Sequence, residues 1–141
     1  MTPVRQTIFV ADHPNGWGNC MSAAIASILD RPLSEVIDTT DPAVRDAGFW
    51  KSIYRWFNDQ GLKLVDYEPG AEELEGRYSI GTGQSPRGNF HHAVICKSGR
   101  VVWDPHPSDD GVTSLINHQV VEPMTDVEKR RHAARCAAEV A

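Results

Sequence analysis

With 141 residues, 40% of them hydrophobic and 23% charged, the chain has the composition of one globular domain over 1–141, with enough apolar side chains for a single core. A formal charge of -5 argues against a nucleic-acid partner, which selects for basic surface, and no apolar run reaches the length of a membrane span. The start Met1-Thr2-Pro3-Val4-Arg5-Gln6 has no apolar segment of the signal-peptide kind, so a cytoplasmic location without membrane attachment is expected.

Residues 4–10 predict a short strand, and residues 11–18, which contain Pro14, Asn15-Gly16 and Gly18, predict a loop. Met21, Ala24, Ile25, Ile28 and Leu29 then recur at helical spacing, predicting a helix from Cys20 to Leu29 with Asn19 as its N-cap. Arg31-Pro32 ends that helix and a short turn follows. A second helix is expected from Pro42 to Gln60, broken near Gly48. There Trp50, Ile53, Tyr54 and Phe57 fall at i, i+3, i+4 and i+7, an apolar stripe directed at the core, and Gly61 stands where a C-terminal cap belongs. Residues 62–67 alternate as a strand, 71–75 read as a short helix or surface loop, and 77–81 as another strand. Residues 81–88, Gly-Thr-Gly-Gln-Ser-Pro-Arg-Gly, predict a flexible loop. Two strands around the Lys97-Ser98-Gly99 turn, 90–96 and 100–104, should form a hairpin that the prolines of Asp104-Pro105-His106-Pro107 terminate. A last strand is expected over 117–121. Thr125-Asp126-Val127-Glu128 is a capping box opening a helix to about Glu139. Helices, then an antiparallel sheet, then a helix make an α+β fold.

Three residues in this order carry chemistry. A thiol at a helix start, Cys20, is favoured as thiolate by the helix dipole, and more so by an imidazolium beside it. A histidine on the first hairpin strand, His91 or His92, would take and return a proton, and Asp104 at the end of the second strand would orient the ring. Strand register leaves the choice between the two histidines open. Each residue also has a plain structural reading: Cys20 as a small core residue, the histidine as a satisfied strand residue, Asp104 as a turn residue before proline. Trp17 lies close enough in sequence to wall a substrate cleft, and Arg87, in the flexible loop, is a candidate contact for a substrate carboxylate. Cys96 and Cys136 read as core or partly buried residues. Three widely spaced cysteines form no disulfide framework, and without close C-x-x-C or H-x-x-x-H pairs no metal site is expected.

The motifs Asn19-Cys20-Met21-Ser22-Ala23-Ala24-Ile25-Ala26, His92-Ala93-Val94-Ile95 and Gly99-Arg100-Val101-Val102-Trp103-Asp104-Pro105 resemble the papain-like superfamily, in particular the bacteriocin-processing cysteine peptidases. The whole chain also resembles small phage and bacterial proteins. The resemblance implies a helix bearing the cysteine packed on an antiparallel sheet bearing histidine and aspartate. It selects His92 as the base; His91 is then expected to face solvent or to line the cleft edge. It implies a cofactor-free hydrolase acting on a peptide or other amide-containing substrate. The chain departs from the family in lacking a glutamine a few residues before the cysteine, where a side-chain amide helps bind the oxyanion. Gln6 fills that role if residues 11–18 are an inserted loop; Asn15 and Asn19 are the substitutes, with the Cys20 N–H as second donor. A binding module that keeps the fold without turnover is the competing expectation.

Overall fold

The computed structural model describes residues 1–140, which form an antiparallel five-stranded sheet with helices before and after it in the chain. In chain order the main elements are α1 (Cys20–Leu29), α2 (Pro42–Ala47), α3 (Phe49–Asp59), β1 (Leu62–Tyr67), β2 (Tyr78–Gln84), β3 (His91–Lys97), β4 (Arg100–Trp103), β5 (Leu115–Pro123) and α4 (Asp126–Glu139). The sheet order is β1-β5-β2-β3-β4, so the α+β expectation holds and the hairpin β3–β4 forms one edge. No helix among the described residues is long and apolar enough to cross a membrane.

Helix α1 follows its apolar pattern, and its run from Met21 to Ser27 is buried throughout. Small residues on every side let it sit flat against β3 and β2. Met21, Ala24 and Ile25 of α1, Ile53 and Phe57 of α3, and Leu64, Ile80, Ala93 and Ile95 of the sheet close one core. The break at Gly48 is real: its φ of 105° ends α2, and α3 starts at the next residue. The capping box at Thr125 and Glu128 is formed in both directions, and α4 is tied to the rest of the molecule by surface pairs, Lys63–Glu128 at 2.9 Å and His132–Asp59 at 2.6 Å.

Three expectations are corrected. Residues 4–10 form no strand. Their amides are satisfied one at a time by unrelated acceptors: Gln6 N–H by the Pro105 carbonyl, Val4 N–H by Ser27 Oγ, and Thr7 and Ile8 N–H by Asn19 Oδ1. Asn19 therefore makes no side-chain cap of α1, because its carboxamide is spent on that segment. The glycine-rich stretch after Gly81 is strand as far as Gln84, not loop. A side chain at Gly83 would lie 2.0 Å from the Ser114 carbonyl oxygen, so the glycine marks close strand approach rather than flexibility.

Candidate active site

Cys20 opens α1, half-buried, at a position whose N–H has no acceptor within the helix. His92 lies on β3 opposite Gly83 of β2 and is buried. The hairpin register then decides which histidine meets the aspartate. Lys97 pairs with Arg100 and Cys96 with Val101, but after a one-residue irregularity Ile95 pairs with Trp103. Val102 is the extra residue, a β-bulge. Carried one residue further, the shifted register sets Asp104 opposite Val94, on the same face as His92. Without the bulge it would stand opposite Ala93, on the face of His91.

His92 Nε2 and Asp104 Oδ1 are 2.6 Å apart, with both side chains buried. The carboxylate also accepts from the backbone N–H of His106 at 2.8 Å and from that of Gly111 at 2.7 Å. Burial pushes Asp104 up, yet His92 and these two amides hold it below the ordinary carboxylate range. Burial pushes His92 down, but Asp104 and the neighbouring Cys20 outweigh it and raise the imidazole to about 9. Burial likewise pushes the Cys20 thiol up, while hydrogen bonding and charge from His92 and the amides of Ala93 and Met21 bring it below the usual thiol value. With Nε2 committed to Asp104, Nδ1 is the ring nitrogen available to the sulfur. All three shifts favour a thiolate beside an imidazolium beside a carboxylate.

Cys20 and His92 line a cleft of about 520 Å³. Trp17, Arg87 and His91, the residues expected at the substrate, all line it as well. Arg87 donates to Ser108 Oγ at 3.1 Å and lies 3.9 Å from Asp110. Gln6 reaches the same cleft: it is buried, its Nε2 donates to the Ile8 carbonyl at 3.1 Å, and its Oε1 has no partner. Asn19 is the alternative the structure removes. Its Oδ1 accepts from Thr7 and Ile8 N–H, its Nδ2 donates to Thr7 Oγ1, and it does not line the cleft. Asn15 is exposed and also absent from the lining.

Several cleft residues escaped the sequence reading. Trp50, assigned to the core stripe, is 37% exposed and lines the cleft, while Ile53 and Phe57 of the same stripe are buried in the core. Arg45 and Phe49 join it from the α2–α3 break, and His106 from the proline-flanked turn after Asp104. The spacing of His106 just beyond Asp104 was a usable signal; nothing in the sequence near Arg45 was. Away from the cleft, Asp59, His132 and Cys136 bring carboxylate, imidazole and thiol donors within 4.8 Å of one another. His132 and Cys136, one turn apart on α4, form an H-x-x-x-C pair outside the C-x-x-C and H-x-x-x-H spacings. Arg55 Nη2 lies 3.6 Å from the Cys136 sulfur, placing a cation where a metal ion would compete with it. Comparison with protein-family models, with curated proteins and with solved structures finds no match to this chain.

Proposed function

We propose that this protein is a cysteine hydrolase on the papain-like plan, cleaving an amide bond through a Cys20 acyl-thioester. The Cys20 thiolate attacks the carbonyl carbon, and the His92 imidazolium gives its proton to the departing amine as the C–N bond breaks. Water, deprotonated by His92, then attacks the thioester. The acid leaves, and the thiolate–imidazolium pair is restored. Asp104 keeps the ring oriented and charged through the 2.6 Å bond to Nε2. The Cys20 N–H and the Gln6 carboxamide, whose Nε2 carries a second proton beyond the one given to Ile8, are the oxyanion donors in this reading. Peptides are the favoured substrates; isopeptides, simple amides and acyl transfer use the same machinery.

The observation that carries the proposal is the buried His92–Asp104 pair set beside a thiol at a helix start, inside a cleft that opens to solvent. A structural histidine satisfied by a carboxylate needs neither the cysteine nor the cleft. The test is the pH dependence of Cys20 alkylation, read by peptide mass mapping in the wild type and in His92→Ala. Rapid labelling at about pH 6, at least tenfold slower in the variant, is the expected result. Labelling that begins only above about pH 8 and ignores the substitution would reject the pair and leave a binding module on the same fold.

A further inference from the structure

The chain carries 19 acidic against 14 basic residues, yet not one aspartate or glutamate lines the cleft. Its charged lining is Arg45, Arg87 and the His92 imidazolium against the single negative charge of the Cys20 thiolate, with His91 and His106 beside them. An acidic protein that keeps all its carboxylates out of one cavity has a cavity suited to anions. The two arginines are not equivalent. Arg87 is engaged by Ser108 and has Asp110 3.9 Å away to offset its charge. Arg45 has no acidic partner among the described residues. Its Nε donates to the Thr39 carbonyl at 3.0 Å, and its guanidinium lies over the rings of Trp17, at 4.7 Å, and Phe49, at 4.6 Å.

That arrangement holds the guanidinium in place, and among the described residues its terminal nitrogens have no acceptor. A planar fork held by aromatic stacking is pre-organised for bidentate recognition of a carboxylate, since little side-chain entropy remains to be lost. Arg45 and Cys20 line the same cleft; burial pushes the guanidinium down and the Cys20 thiolate acts against that shift. We propose that Arg45, set on Trp17 and Phe49, is a specificity-determining residue that binds a carboxylate of the substrate near the scissile bond. The inference rests on the reading of Cys20 as nucleophile. The carboxylate is either an acidic side chain or the free C-terminus of the substrate; both present the same fork-matching pair of oxygens.

Three alkylating probes of nearly equal size separate these cases. N-chloroacetyl-glutamine amide is neutral, N-chloroacetyl-glutamate α-amide carries a side-chain carboxylate, and N-chloroacetyl-glutamine carries an α-carboxylate. Second-order rates of Cys20 modification are measured by mass mapping for wild type, Arg45→Gln and Arg45→Lys. At least one anionic probe is expected to outpace the neutral one by roughly tenfold in the wild type, and which one does so identifies the source of the carboxylate. The anionic-to-neutral ratio should collapse toward one in Arg45→Gln and be partly kept in Arg45→Lys, which retains charge but not the fork. In the wild type the ratio should also shrink as salt is raised, a readout that needs no substitution. A reactive Cys20 with a ratio near one in the wild type overturns the Arg45 assignment and leaves the hydrolase proposal standing. So does a high ratio that survives in Arg45→Gln. A Cys20 no faster than an unfolded thiol toward every probe rejects the hydrolase and this inference together.

Discussion

At His92 desolvation and hydrogen bonding pull in opposite directions, and the balance sets the chemistry. Burial alone would make the imidazole neutral, whereas the 2.6 Å bond to Asp104 and the adjacent thiolate raise it to about 9. The imidazolium is therefore present below that pH and lost as pH rises through about 9. An NMR titration of the His92 ring should show its midpoint there. In Asp104→Asn the strongest raising contact is gone, so the midpoint should move down, and the fraction of Cys20 alkylated quickly near neutral pH should fall with it. A wild-type midpoint near the ordinary histidine value would mean that the Asp104 bond does not sustain the charge. Cys96 offers the internal contrast. It has burial without a charged partner, and its thiol is pushed up to about 12, an inert core residue as its strand position suggests.

Among the elements, α1 and α4 are legible for different reasons. The α1 pattern is a run of small and apolar residues whose burial on all sides is met by the sheet and the segment before it. In α4 the box at Thr125 and Glu128 is local chemistry that needs no tertiary partner, although Lys63 adds one. The Glu128 carboxyl is held down at about 2 by the Thr125 backbone N–H, Lys63 and the Thr125 hydroxyl. A carboxylate depressed in the folded state stabilises it above the unfolded value and loses that effect as pH falls toward the folded one. Glu128→Gln should accordingly lower Tm near neutral pH, with the difference from wild type shrinking as pH falls from about 5 toward about 3. A pH-independent difference would assign the effect to shape rather than charge. Segment 4–10 shows the opposite case: β-prone residues that never meet a strand, because Asn19, Ser27 and Pro105 take their amides one by one.

For the molecule as a whole, the core between α1, α3 and the sheet holds the site together from behind. Phe57 is fully buried in it, and α3 also carries Trp50 into the cleft. Phe57→Ala should cost about 3–5 kcal/mol in denaturant unfolding, by lost burial and the cavity left behind. A loss under about 1 kcal/mol would show that the helix repacks and that its position over the sheet is loosely held. The Lys63–Glu128 pair that helps dock α4 is worth little by comparison, since it is only partly shielded from solvent and surface ion pairs contribute about 0–1 kcal/mol each.

Local sequence signals, periodicity together with caps and turn residues, determined most of the elements: helix α1 at its observed ends, the break at Gly48, strand β1, the β3–β4 hairpin and the capped last helix. These are properties of neighbours in sequence, and local sterics and hydrogen bonding decide them. The order of thiol, imidazole and carboxylate was legible for the same reason. What a linear pattern does not contain is which distant groups share a space. Only the tertiary structure brought Gln6 to the cleft and turned Asn19 away from it, seated Arg45 on two aromatic rings, and moved Trp50 from core to wall. Strand patterning left His91 and His92 open and the resemblance alone selected His92; in the fold that choice has a physical cause. It turns on a single bulged residue, Val102, and a one-residue slip in strand pairing exchanges the two faces of a sheet.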